Sequence, residues 1–432
     1  MVIIWKIVSF FIVLGILVLV HEFGHFITAK LSGVRVEEFS FGFGKRLFGK
    51  KIGDTDYKVS LFPLGGYVKM AGEEAEDVKG APDEFESQPK WKKALILLNG
   101  PMFNLILTII LLSILFSIGI DRAKYLDEPA KIGWVQKQSP AEKAGLKAGD
   151  IVLSINNKKI KNWEQFETIV TTSPREVLNL KVKRGDKIID IKLHPKAVGA
   201  YQIGDVGVMY EIPAKIGQMA SGMPAARAGL KTGDEILEID GVKIKNYYQM
   251  RNIIMKSPDK ELNFKIKRGN KIFTVKIKPE KQGNRGVIGV VAYFETVKKR
   301  YPIFKAIGKS FKETVRLTVL TYQVLKKLIV GKISYKSLSG PIDIADFSYA
   351  AVKSGSSGFL QFLAFISLQL GIINLLPIPA LDGGHLFVLL IETIVRKDFS
   401  PKWKERIAMI GFYTLILLSV FVIINDILKR VH

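Results

Sequence analysis

The stretch Leu17 to Lys30, LVLVHEFGHFITAK, sets two histidines and a glutamate inside a run apolar enough to cross a membrane. Ionisable groups at membrane depth cost at least roughly 2.5 kcal/mol each, and where they occur they mark function. His21-Glu22-Phe23-Gly24-His25 has the spacing H-E-x-x-H. On a helix, residues i and i+4 share a face, so both imidazoles can reach one Zn²⁺, and Glu22 stands beside that metal as a general base for its water. The chain has only five histidines, and at that frequency chance yields the pattern about 0.003 times. Accident explains it poorly. The plainer alternative, a histidine pair that hydrogen-bonds a neighbouring helix, leaves three polar groups in lipid without a strong partner, which a divalent cation supplies.

Outward from this stretch the chain is a mixture. Its 432 residues are 48% hydrophobic, with a mean hydropathy of +0.20, too apolar for an ordinary soluble enzyme. Four runs near the length of a helical span lie at about Val2 to Ala29, Ala94 to Ile120, Phe359 to Pro379 and Ile407 to Leu428. The first has no small-residue cleavage site and is read as retained rather than as a signal peptide. Between the first two spans, Thr28 to Lys93 holds twelve Lys or Arg, and the loop after the third span carries Arg396, Lys397, Lys402 and Lys404. By the positive-inside rule these loops are cytoplasmic, which puts both termini and the long segment after Ile120 outside. The net charge of +24 fits an anionic membrane surface or a lysine-rich solvated one; no nucleic-acid-reading motif accompanies it. With no cysteine, disulfides, Cys-ligated zinc and thiol catalysis are excluded, and His, Asp, Glu and hydroxyls remain for chemistry.

The outside segment repeats itself. KIGWVQKQSPAEKAGLKAGDIVLSINNKKIKNW from Lys131 returns as KIGQMASGMPAARAGLKTGDEILEIDGVKIKNY from Lys215, and SPREVLNLKVKRGDKI from Ser173 returns as SPDKELNFKIKRGNKI from Ser257, at one offset of 84 residues. Alternating runs such as LNLKVKRGDKIIDIKL predict strands turning at Arg-Gly-Asp, and PAEKAGLKAGD predicts a short helix closed by glycine. The pattern resembles the PDZ domain of bacterial proteases, at Ser139 to Asp150 and Ile239-Asp240-Gly241. The glycine-containing strand expected ahead of Lys131 is missing, whereas DVGVMY and VIGVVAY follow the copies. Each repeat is therefore expected to be circularly permuted and to close with a peptide-binding strand near Val206-Gly207-Val208 or Ile288-Gly289-Val290. Such domains bind chain ends by strand addition and would filter substrates; spacers or a steric plug are the alternatives.

A hydrolytic zinc normally has three protein ligands and one open position. The third span ends in GIINLLPIPALDGGHLF, which offers Asp382 and, one helical turn on, His385; spacing alone barely separates them. Asn374, Pro377 and Pro379 interrupt the helix there, and the freed backbone groups are tolerable at membrane depth only where protein or water lines them. Asp-Gly-Gly is also ordinary turn chemistry. Val34 to Met70 alternates and carries Gly and Pro like short strands and turns, which could accept an unwound peptide by edge pairing or stand aside as a peripheral hairpin. Pro302 to Lys332 reads as an amphipathic helix for the membrane interface or for the bundle.

Taken together the chain resembles the site-2 protease family of intramembrane zinc metalloproteases, of the bacterial regulator-of-sigma-E protease type. The resemblance rests on HEFGH, Phe41-Gly42-Phe43-Gly44, FPLGGYVKM, NGPMFN from Asn99, the tandem repeats, LSGPIDIA from Leu338 and NLLPIPALDGG from Asn374. It implies zinc ligation by His21, His25 and Asp382 rather than His385, and Glu22 as catalytic base. It also implies that Asn374, beside Pro377 and Pro379, and the Gly42 to Gly44 loop contact the substrate backbone. The implied substrates are single-span membrane proteins in the bilayer, already trimmed by another protease, such as an anti-sigma factor, or leftover signal peptides. The implied location is the bacterial inner membrane, with the active site toward the cytoplasm.

The fold class expected is thus an α-helical membrane protein of about four transmembrane helices with a membrane-associated β element, plus two circularly permuted PDZ-like α+β domains. The segments are a first span with the motif (1–29), a β loop (30–93), a second span (94–120), repeats at 127–212 and 213–297, an amphipathic helix (302–332), a third span with Leu-Asp-Gly (359–386) and a fourth (405–428). A membrane-tethered PDZ scaffold that binds termini without cutting is the alternative function, opposed by the intact Glu22. A transporter using the ionisable groups as a relay is opposed by the tandem repeat.

Overall fold

The structure is a computed structural model that describes residues 2–431 apart from 75, 200 and 221. Among the described residues four helices are long and apolar enough to cross a membrane: α1 (Val2–Leu31), α2 (Lys90–Ile118), the run Ser356–Asn374, and Lys402–Arg430 near the carboxyl end. Contacts divide the chain into two units, one of residues 1–120, 299–327 and 335–432, the other of residues 121–298 and 328–334.

In the first unit α1 and α2 are apolar on nearly every face, as helices in lipid are. They meet with Val13 and Leu17 against Leu111, Leu112 and Leu115, and Leu363 and Ala364 close the same core. Lipid gives little hydrophobic drive between helices, so small residues and polar ties decide the packing. Gly24 faces the carbonyl of Asn99, and a Cβ at Gly100 would overlap Nε2 of His25. Thr108 and Ser367 both donate to the carbonyl of Asn104, at 2.9 and 2.8 Å. Such bonds contribute roughly 0.6 to 1.7 kcal/mol each, enough to fix a register.

The loop after α1 forms two long strands, β1 (Val36–Ile52) and β2 (Thr55–Met70). Phe39 pairs with both Val68 and Tyr57, and Phe41 with both Gly66 and Val59. The first half of β1 therefore lies between the two halves of β2, and Gly66 to Met70 forms an outer edge. Phe26 of α1 anchors the sheet by packing against Phe39 and, edge to face, Tyr57, with ring centroids 5.0 and 5.8 Å apart.

The second unit holds the repeats. In the first, Ser139 caps the one-turn helix α3 (Pro140–Lys143) by accepting from the Glu142 N–H, and Asn162 caps α4 (Trp163–Thr171). In the second, α5 (Pro224–Arg227) and α6 (Tyr247–Met255) occupy the corresponding places, with Asn246 as cap. Strands Leu178–Arg184 and Lys187–Leu193 turn at Gly185-Asp186 as expected, and Leu262–Arg268 with Lys271–Ile277 repeats the hairpin. Each copy buries its own core, around Phe166 and Leu180 in one and Phe264 and Ile239 in the other. Each also ties the carboxylate after its glycine to a later arginine, Asp150 to Arg184 and Asp234 to Arg268, both at 2.7 Å. Val208–Met209 pairs with Trp134–Val135, and Val290–Ala292 with Ile216–Met219, so the strand that trails each copy returns to its beginning.

The remaining helices belong to the first unit, apart from the last two residues of α7: α7 (Ile303–Ile329), α8 (Pro341–Lys353), α9 (Ser356–Asn374), α10 (Asp382–Val395) and α11 (Pro401–Val431). The amphipathic pattern over 302–332 is helical as α7, with Phe304, Phe311 and Val319 exposed and Ala306, Ser310 and Thr314 buried. The expected third span over 359–386 is not one helix. Proline has no N–H to continue the ladder, and with Pro377 and Pro379 in the way the chain leaves α9 at Asn374, turns through Ala380 at φ 74°, and restarts at Asp382. Gly383 and Gly384 let that turn close, since a Cβ on either would strike the carbonyl of Leu376 or Ile378.

Candidate metal centre

The turn between α9 and α10 brings Asp382 to the histidine face of α1. Ligand atoms of His21, His25 and Asp382 all lie within 4.8 Å of one another. Nε2 of His21 is 3.1 Å from Asp382 Oδ2, Nε2 of His25 is 3.4 Å from Oδ1, and the two Nε2 atoms are 3.1 Å apart. Asp382 Oδ2 is buried and makes no hydrogen bond among the described residues; the His21 imidazole beside it forms an ion pair only when protonated. Two imidazole nitrogens and a carboxylate oxygen converging from three sides fit the donor set of a catalytic zinc, which keeps one position open. The α10 residue that reaches the histidines is Asp382; His385, three residues on, lies in another recess with Lys93, Glu392 and Lys404.

The outer contacts of the imidazoles decide which nitrogen each presents. His25 Nδ1 lies 2.9 Å from the carbonyl of Ile96, an acceptor, so Nδ1 carries the proton and Nε2 is left bare for a metal. His21 Nδ1 faces the carboxamides of Asn104 and Asn374 at 3.3 and 3.4 Å. Amide orientations are assigned rather than observed, and Oδ1 of Asn104 is buried without a partner. Turning that carboxamide over gives Oδ1 the Nδ1–H of His21 and again bares Nε2. We therefore expect Asn104→Ala to weaken zinc affinity about tenfold to a hundredfold, the usual weight of an outer-shell partner. Competitive titration with a zinc chelator checks this; unchanged affinity would remove Asn104 from the site.

Among the other residues expected at the site, Asn374 is present at the end of α9. Pro377 and Pro379 form the turn, Pro379 packing under Gly411 of α11. Gly42 and Gly44 both have positive φ, 93° and 86°, and their close neighbours are Ser60 and Phe62 within the sheet. The strand that approaches the motif is the second half of β2, where a Cβ on Gly66 would lie 3.4 Å from Glu22 Cγ. Sequence assigns no role at the site to Asn104 or to the Ile96 carbonyl. Asn104 closes the NGPMFN stretch, and an asparagine inside an apolar span is the signal it offers; a backbone carbonyl leaves none.

Two histidines of an apolar helix, an aspartate from another helix and a glutamate beside them have the make-up of a zinc metallopeptidase site. The chain belongs to peptidase family M50, the site-2 proteases, whose model matches residues 9–418. It is 32% identical to the regulator of sigma-E protease RseP of Escherichia coli K12, over 98% of each chain. It is 33% identical, again over 98% of each, to a protein of Vibrio cholerae serotype O1 named provisionally as a zinc metalloprotease. Among solved structures, a PDZ domain of the SdrC-like protein from Listeria innocua aligns with 19% of this chain and 96% of its own, at 27% identity and a TM-score of 0.18.

Proposed function

We propose that this protease hydrolyses peptide bonds within the transmembrane segments of single-span membrane proteins, at a zinc held by His21, His25 and Asp382. The observation that carries the reading is the convergence of those three ligand atoms, with Asp382 Oδ2 buried and not hydrogen-bonded among the described residues, beside Glu22 on an apolar helix. When bound, zinc supplies Lewis-acid polarisation of the scissile carbonyl and of the attacking water. Glu22 takes the proton from that water and delivers it to the leaving amine as the carbon–nitrogen bond breaks. Asn104 and the Ile96 carbonyl hold the imidazoles in orientation.

A helical substrate keeps its carbonyls in hydrogen bonds and must be drawn out before attack. The outer strand Gly66 to Met70 supports a place for this, since it forms an edge of the sheet beside Glu22, where an extended peptide can add as a further strand. Asn374 holds the peptide backbone near the metal, a role supported by its carboxamide lying 3.4 Å from His21 Nδ1, and the Gly42 to Gly44 loop contacts the same extended peptide. The repeats act as PDZ-like, circularly permuted substrate filters, a reading supported by the return of each trailing strand to the start of its copy. Loop charges favour a cytoplasmic active site and repeats on the outer side of a bacterial inner membrane. Relatives named for sigma-E regulation suggest that substrates include membrane-anchored regulators of a sigma factor, trimmed first by another protease.

Stripping the reconstituted protein with a zinc chelator tests the reading. Cleavage of a single-span substrate is expected to fall to background and to return on addition of about one equivalent of zinc. Undiminished cleavage by the metal-free protein overturns it.

A further inference from the structure

The first repeat carries a cleft of about 570 Å³ lined by Lys143, Arg175, Lys192, His194 and Lys196, with no carboxylate among its lining residues. The second repeat gives an internal control, because the same backbone is built there. Arg175 sits at φ 64° and donates its N–H to the carbonyl of Pro195 at 2.8 Å; Asp259, 84 residues on, sits at φ 58° and donates to Pro279 at 2.9 Å. The side chains differ in a consistent direction. In the second repeat Arg227 pairs with Glu280 at 2.5 Å and Lys276 with Glu261 at 2.9 Å. The equivalents of the three acids Asp259, Glu261 and Glu280 in the first repeat are Arg175, Val177 and Lys196. A face that is charge-balanced in one copy therefore carries four positive charges in the other. Glu142 and Glu176, each next in sequence to a lining cation, and Asp190 on the strand all lie outside the lining. Arginine is also a poor choice for a left-handed backbone position that aspartate accepts readily. The fold does not require these residues.

We propose that this cleft binds the phosphate headgroups of anionic membrane lipids. Three observations favour lipid over an acidic peptide. Four lining cations without a lining acid suit phosphate at an anionic surface. Exposed Val177 and Val198, at 47% and 37% accessibility, flank the cations and suit insertion among acyl chains. The chain enters this unit at residue 121, directly after α2, and leaves it at 298, shortly before α7. A tether that short keeps the lipid surface at high effective concentration.

The chain has no cysteine, so V198C gives a single labelling site on the full-length protein. A fluorophore there is expected to be quenched about twofold more by headgroup nitroxides in nanodiscs containing about one-third phosphatidylglycerol than in neutral discs. The difference is expected to shrink at high salt. R175D/K196E, which installs residues the second repeat already carries in this backbone, is expected to abolish it, and the same label on Q282C in the second repeat to show no lipid dependence. Equal quenching in both discs, or quenching unchanged by R175D/K196E, overturns the proposal. So does an acidic peptide that binds the labelled protein in an Arg175-dependent way while quenching stays the same in both discs.

Discussion

Asp382→Ala is expected to lower zinc affinity by more than about a hundredfold, since it removes one of three ligands where even outer-shell losses cost ten- to a hundredfold. Two imidazoles remain on one helix face, but the carboxylate that offsets the cation's charge in a poorly solvated site is gone. His385→Ala is the paired control, one turn away on the same helix yet facing the recess of Lys93, Glu392 and Lys404. Metal analysis of the two purified variants is expected to find zinc depleted in the first and near one equivalent in the second. Zinc retained by Asp382→Ala and lost from His385→Ala would reassign the third ligand.

Glu22→Gln is expected to leave the metal in place and to reduce turnover about a thousandfold, within the usual range for removal of a general base. Glutamine keeps the shape of the side chain and its neighbour Gly66, but has no lone pair basic enough to take a proton from water. Because Glu22 is not among the converging ligand atoms, zinc content separates this variant from one whose site has collapsed. Loss of cleavage with zinc intact identifies the base; loss of both indicates a structural role.

Much of this architecture is legible in the sequence because its signals are local or repeated. The H-E-x-x-H spacing depends only on helical periodicity, and α1 delivers it. The offset of 84 residues appears in the structure as matched caps at Asn162 and Asn246 and matched ion pairs at Asp150 and Asp234. What sequence does not show is approach between distant segments. Asp382 and His385 are one turn apart, and only the turn through Ala380 decides which of them faces α1. Asn104 sits among apolar residues of α2, and its purpose appears only when His21, 83 residues away, is found 3.3 Å from it. The glycines of the first loop look equivalent in sequence, yet the sheet folds Gly42 and Gly44 against Ser60 and Phe62 and brings Gly66 to Glu22. Hydropathy likewise runs through Asn374 to Pro379, whereas the missing proline N–H groups end the helix at Asn374.

The most direct measurement is made on one preparation of Glu22→Gln beside the native chain, both reconstituted in bilayers with a single-span substrate, with zinc content and cleavage recorded from the same samples. One zinc per chain in both proteins, with cleavage only by the native chain, is the expected result. Cleavage by Glu22→Gln at the native rate, or a native chain that cuts without zinc, contradicts a zinc centre served by Glu22.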